Sequence, residues 1–145
     1  MINLRPFALP VFLMLSAPLG ATAKAPTLDR AEAMQLYAAA GFPISADGDH
    51  PTNRCGQSAN PFIAFVDMNG DGRKEALIVD QGPCYTQDRR WYAVATKDAS
   101  GQWHKLVDGE GSVSATGTQF NGWFVLAVSH GGKTSKLYFD GLRYG

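Results

Sequence analysis

Between Phe65 and Asp80 the chain reads FVDMNGDGRKEALIVD. Asp67, Asn69 and Asp71 place oxygen-bearing side chains at every second position, and Glu75 follows four residues on. Hard oxygens at this density suit calcium, which takes six to eight oxygen ligands in a flexible shell. Magnesium keeps its waters, and zinc asks for His or Cys, which this segment lacks. A tight loop turns alternate side chains inward, and Gly70 and Gly72 permit backbone angles that a Cβ resists. Arg73, at the seventh position, would contribute its backbone carbonyl, and Glu75 a bidentate carboxylate. Without a metal the segment reads as a solvated hairpin turn, because Asn-Gly and Asp-Gly are ordinary turn dipeptides. Two such pairs in tandem, with three mutually repelling carboxylates, favour calcium held by Asp67, Asn69, Asp71, Arg73 and Glu75.

The first half of the segment follows the spacing of an EF-hand loop and the second half departs from it. Its twelfth position is Ile78, inside the apolar run Ala76 to Val79, where an EF-hand requires Glu and then a helix. A strand pattern follows instead, so the expected setting is strand–loop–strand.

Other chemistry-bearing residues are few. Cys55 and Cys84 are the two cysteines. In an exported protein they should pair, closing a loop that contains the metal segment and contributing roughly 3–4 kcal/mol in the chain-entropy model; two free buried thiols are the alternative. His50, His104 and His130 show no metal-ligand spacing, and His104 reads as a solvent-side strand residue. Ser129 and His130 are neighbours, which sends their side chains to opposite faces of a strand and precludes a nucleophile–base pair without a bend. No Gly-x-Ser-x-Gly elbow occurs. Asp47 and Asp49 read as a turn, or as additional calcium ligands. Ser129, His130, Gly131, Gly132 and Lys133 form a tip that two glycines let protrude. It is either a plain hairpin end or a partner-binding loop offering a donor and a cation to a carboxylate-lined cleft.

The positioning elements follow from periodicity. The stretch APTLDRAEAMQLYAAAGFP predicts one helix. Thr27 would cap it, Asp29 and Glu32 load its first turns, and Gly41 and Pro43 end it. Leu28, Ala31, Met34, Tyr37 and Ala38 would form its packing face. ISADGDHPTNRCGQSAN is a loop. After it come PFIAFVD, EALIVD, WYAVATK, QWHKLV, SVSATG, GWFVLAVS and SKLYFD, short runs rich in β-branched and aromatic residues and bounded by turn residues. KDASGQW and the Asp140-Gly141 dipeptide mark tight turns. The expected fold is α+β and mostly β: an N-terminal helix beside an antiparallel sheet of propeller-blade-like hairpins, with the calcium loop between two strands.

Residues 1–23 carry one charge, Arg5, then an apolar run to Leu19 and the small-x-small site Ala21-Thr22-Ala23. This is the layout of a secretory signal peptide cleaved before Lys24. Pro6, Pro10 and Pro18 suit a membrane-spanning helix poorly. The expected mature protein is a single domain over 24–145, periplasmic or secreted, with no membrane insertion after cleavage. Without Arg5, twelve basic residues face thirteen acidic ones, a net charge of −1 with no basic run. That balance gives no electrostatic reason to bind nucleic acid.

The loop DMNGDGRKE resembles the calcium loops of FG-GAP and VCBS-type repeats. Together with AAAGFP, the two cysteines, RRWYAVAT, GQWHKL, GTQFNGWFVLAV and LYFDGLRY, it is similar to a family of small exported bacterial proteins that carry one such loop. A related set comprises periplasmic lysozyme inhibitors and immunity proteins. The resemblance implies calcium as the ligand and a cell-wall hydrolase as the protein partner. The expected function is thus a non-catalytic calcium-binding protein that inhibits or confers immunity to a peptidoglycan hydrolase. The alternative is a cell-surface structural or adhesive module with a structural calcium, and a hydrolase ranks third.

Overall fold

The computed structural model describes residues 27–86 and 88–145, so the leader expected over 1–23 lies outside them. One helix, α1 (Arg30–Ala40), precedes seven strands: β1 (Phe62–Val66), β2 (Glu75–Asp80), β3 (Trp91–Lys97), β4 (Trp103–Glu110), β5 (Ser112–Phe120), β6 (Trp123–His130) and β7 (Lys133–Leu137). They form two antiparallel sheets, β1-β2-β3-β4 and β5-β6-β7. The strand content is as expected, but the runs divide between two sheets.

Gly111 lies between β4 and β5, where the chain passes from one sheet to the other. Its φ is 140°, and a Cβ there would stand 2.8 Å from the Ser129 carbonyl oxygen and 2.9 Å from Val128 Cγ1. Only glycine lets the chain pass this close to β6.

The helix differs from expectation at two points. Its N-cap is Asp29, not Thr27: Asp29 Oδ1 accepts the Glu32 N–H at 2.8 Å, from the third helical residue, which an N-cap side chain can reach. Its packing face is met in part: Leu28 and Tyr37 pack against the core as expected, but Ala31 and Ala38 are exposed and the fully buried helix residues are Leu36 and Ala40. An alanine-rich helix puts small apolar residues on every side, so several stripes satisfy the period; the one carrying Leu36 packs. Gly41 ends the helix at φ 92°, with the Phe42 N–H reaching the Tyr37 carbonyl at 2.9 Å.

Two apolar clusters lie on opposite faces of the four-stranded sheet. Ile78, Ala93, Ala95 and Trp103 meet Leu36 and Ala40 of α1. Val94 and Leu106 meet Met68, Leu126, Phe139 and Tyr144. The two-residue period of β3 sends Ala93 and Ala95 one way and Val94 the other, so Trp91 to Ala95 are all buried. Trp123 and Phe139 stack with centroids 4.1 Å apart in the second cluster.

The β3–β4 turn is held by Asp98. Its Oδ1 accepts the N–H groups of Ser100 (2.8 Å) and Gln102 (3.0 Å), and its Oδ2 lies 2.6 Å from Nε2 of His104, which is exposed as expected. The Ser100 hydroxyl also donates to Oδ1 at 2.6 Å. These donors, the Ser100 hydroxyl first, then His104 and the backbone N–H groups, hold the Asp98 carboxyl well below its ordinary value of 3.8. A depressed folded-state pKa gives stability that is complete above the unfolded value and lost as pH falls through the folded one. Asp98→Ala should therefore lower the urea midpoint at pH 7. The gap to the parent protein should narrow as the pH drops below 3.8, measured by paired denaturation curves.

Candidate metal centre

The β1–β2 register ends at Val66↔Glu75, which leaves Asp67 to Lys74 as the connecting loop. Its polar side chains first fold the loop itself. Asp67 takes the Gly70 N–H on Oδ1 (2.7 Å) and the Gly72 N–H on Oδ2 (3.0 Å). Asn69 Oδ1 accepts the Asp71 N–H at 2.9 Å, and Asp71 Oδ1 accepts the Arg73 N–H at 2.7 Å. Three successive side-chain-to-backbone turns thus wind the chain, and Gly70 (φ 75°) and Gly72 (φ 83°) occupy the left-handed positions the winding requires.

Glu75 closes the loop from the first position of β2. It is 1% exposed. Oε2 accepts the Met68 N–H at 2.8 Å, and Oε1 accepts the Thr96 hydroxyl at 3.1 Å. Both donors are neutral, and among the described residues no cationic side chain pairs with this carboxylate. Burial pushes its pKa upward, and the nearby Asp71 charge adds to the rise. In turn Glu75 adds to the effect of burial on the Tyr144 phenol, which is pushed up to about 12.

The donor set is all oxygen, in the order expected for a hard cation. Each carboxylate oxygen of Asp67 and Glu75 accepts one protein hydrogen bond, and a carboxylate oxygen has two lone-pair sites. The turn bonds and a metal bond are therefore compatible there. Asp71 is more occupied. Its Oδ2 receives Arg73 Nη2 at 3.0 Å, Arg73 Nε at 3.3 Å and Asn69 Nδ2 at 3.2 Å. Among the described residues no three His, Cys, Asp or Glu side chains converge into a metal-holding group. The five expected residues lie together on the loop and the first position of β2; Asp71 keeps a lone-pair site on Oδ1, which accepts only the Arg73 N–H, while its Oδ2 is covered by the Arg73 guanidinium.

The other expected sites fall elsewhere. Cys55 and Cys84 are disulfide-bonded, with Cα atoms 5.9 Å apart. Asp47 and Asp49 stay out of the β1–β2 loop: Asp47 accepts the Ser45 hydroxyl and the Asp49 N–H in a turn, and Asp49 pairs with Arg30 at 2.6 Å. Gly131 (φ 56°) and Gly132 (φ 75°) make a two-residue turn that pairs His130 with Lys133 across β6 and β7, all four exposed. The Ser129 hydroxyl lies 2.7 Å from that of Thr134.

Met68 and Thr96 were not foreseen as parts of this site. Met68 had a signal, since a residue between inward-turned oxygens must face the opposite way and, being apolar, seek cover. Thr96 had none, because it is twenty-one residues from Glu75 and meets it only through sheet pairing. Among the described residues no helix is long and apolar enough to cross a membrane. No protein-family model, curated protein or solved structure matches the chain.

Glu75→Ala should destabilise the fold by about 1–3 kcal/mol, the usual cost of an unpaired buried donor, here the Met68 N–H. Glu75→Gln keeps an acceptor for Met68 and a polar group for Thr96, so its melting temperature without added metal should stay at or above that of the parent protein. Differential scanning calorimetry of the two variants checks both.

Proposed function

We propose that this is an exported, non-catalytic protein that binds calcium in the β1–β2 loop and acts by holding a protein partner, most concretely a peptidoglycan hydrolase of the lysozyme type. The observation that carries the calcium reading is Glu75: a buried carboxylate with only neutral donors, closing a loop that already bears Asp67, Asn69 and Asp71. An ionised carboxylate out of water needs a counter-charge, and a divalent ion shared with Asp67 and Asp71 supplies it. Asp67, Asn69, Asp71 and Glu75 would bind through side chains and Arg73 through its carbonyl. The ion's part is structural, neutralising the loop and fixing the turn between two core strands in a strand–loop–strand unit of the FG-GAP type.

The partner reading is supported by the resemblance of the loop and flanking strands to exported lysozyme-inhibitor and immunity proteins. The exposed tip at His130 to Lys133 adds chemistry to it. Lys133 makes no ion pair among the described residues, and a tight Gly-Gly turn presents it beside His130. Glycoside hydrolases of this kind work with two carboxylates in a cleft, which a narrow tip carrying donors and a positive charge complements.

Calcium at a hundred times its Kd should stabilise chelator-treated protein by about 2.7 kcal/mol, seen as a rise in melting temperature. Glu75→Gln and Asp67→Asn should lose most of that gain, and an unchanged melting curve would remove calcium from the account. For the partner, the purified protein should slow lysis of peptidoglycan by a lysozyme-type enzyme in a turbidity assay, and His130→Ala/Lys133→Ala should relieve the inhibition. Full inhibition by the double variant excludes the tip as the contact, and no inhibition of any such enzyme sinks the partner reading.

A further inference from the structure

A second concave site adjoins the loop and is not used by the reading above. It is a cleft of about 470 Å³ between the start of α1, the end of the β1–β2 loop and the β3–β4 turn. Its apolar wall is Leu28, Phe65 and Trp103, with the two ring centroids 6.5 Å apart. Arg73, Lys74 and Lys97 supply positive charge. The Lys97 ammonium lies 4.8 Å from the Trp103 ring centroid and is paired with Glu32. Arg73 Nη1 reaches the Lys97 carbonyl at 3.4 Å, joining the loop to β3 at the rim. Lys74 is exposed and makes no ion pair among the described residues.

The two acids of the lining are already engaged, Glu32 by Lys97 and Asp98 by its own turn and His104. Lys74 is the charge left to meet a ligand. The Trp103 indole N–H is buried and has no acceptor among the described residues. A cleft of this volume with a mostly apolar wall and a few oriented polar groups has the make-up of a small-molecule site.

From this arrangement we infer that the cleft binds a small organic anion with a flat apolar body, the body against Phe65 and Trp103 and the anionic group toward Lys74, since the Arg73 guanidinium is paired with Asp71. The inference is independent of the hydrolase partner. A ring seated on these walls removes apolar area from water, and edge or offset contact with two aromatic rings adds to it. The positive rim then decides between an anion and a cation of the same shape.

The test uses 2-naphthoate and its cationic counterpart 2-naphthylmethylammonium, titrated into the purified protein at fixed calcium and followed by amide and indole NMR shifts. Saturable 2-naphthoate binding is expected, with the shifts centred on Leu28, Lys74, Lys97 and the Trp103 indole, and the cation about tenfold weaker. Lys74→Glu is an exposed change that should leave the rest of the spectrum in place and weaken 2-naphthoate several-fold. Phe65→Leu keeps apolar volume while removing one ring, and should also weaken it. No saturable binding, equal affinity for the two ions, shifts centred on another face, or unchanged affinity in Lys74→Glu would each overturn the assignment.

Discussion

The buried Glu75 carboxylate is the constraint around which the middle of this molecule is arranged. A charged group this far from water has to be met by hydrogen bonds or an opposite charge. Its two oxygens reach in different directions, one back to the Met68 N–H at the start of the loop and one across to Thr96 on β3. The first contact closes the loop on itself, and the second ties the closed loop to the neighbouring strand. The conformation of Asp67 to Lys74 is thus set from its far end as well as by its own turns.

Met68 carries the constraint further. It is 1% exposed and lies in the cluster shared with Val94, Leu106 and Leu126, while its carbonyl accepts the Phe124 N–H of β6 at 2.9 Å. One residue of a polar loop therefore serves the loop by its N–H, the second sheet by its carbonyl and the core by its side chain. Tyr144 does similar work from the C-terminal end. Its hydroxyl donates to the Phe124 carbonyl at 2.8 Å, and its N–H reaches the Leu106 carbonyl at 3.1 Å. The two sheets meet where Met68, Phe124, Leu106 and Tyr144 converge, and Glu75 stands behind that junction.

Much of the strand pattern was legible because charge and turn residues bound each run. Glu75 to Asp80 and Trp91 to Lys97 form strands over the very spans that EALIVD and WYAVATK mark out. β4 and β5 run past their apolar signals, through Asp108 to Glu110 and through Thr118 to Phe120, since hydrogen bonding to a neighbour extends a strand whatever its polarity. The division into two sheets was not legible. It turns on the fit of Gly111 against β6, and a lone glycine in a sequence does not say what lies next to it. The helix cap and part of the packing face were misplaced for a related reason: Asp29 and Thr27 are both good caps by type, and only the docked helix chooses between them.

At the loop, residue types gave the set of oxygens and their order, while the side chains that compete for those oxygens came only from the fold. Arg73 was read for its carbonyl, yet its guanidinium covers Asp71 Oδ2 and extends to the Lys97 carbonyl. That places Arg73 at the boundary of two environments, the acidic loop on one side and the aromatic cleft of Phe65 and Trp103 on the other. Asp71 itself is held below the ordinary carboxylate range, first by the Arg73 N–H and also by its side chain. Asp71 thus stays ionised where Glu75 resists ionisation, so the loop holds two carboxylates of opposed tendency only four residues apart.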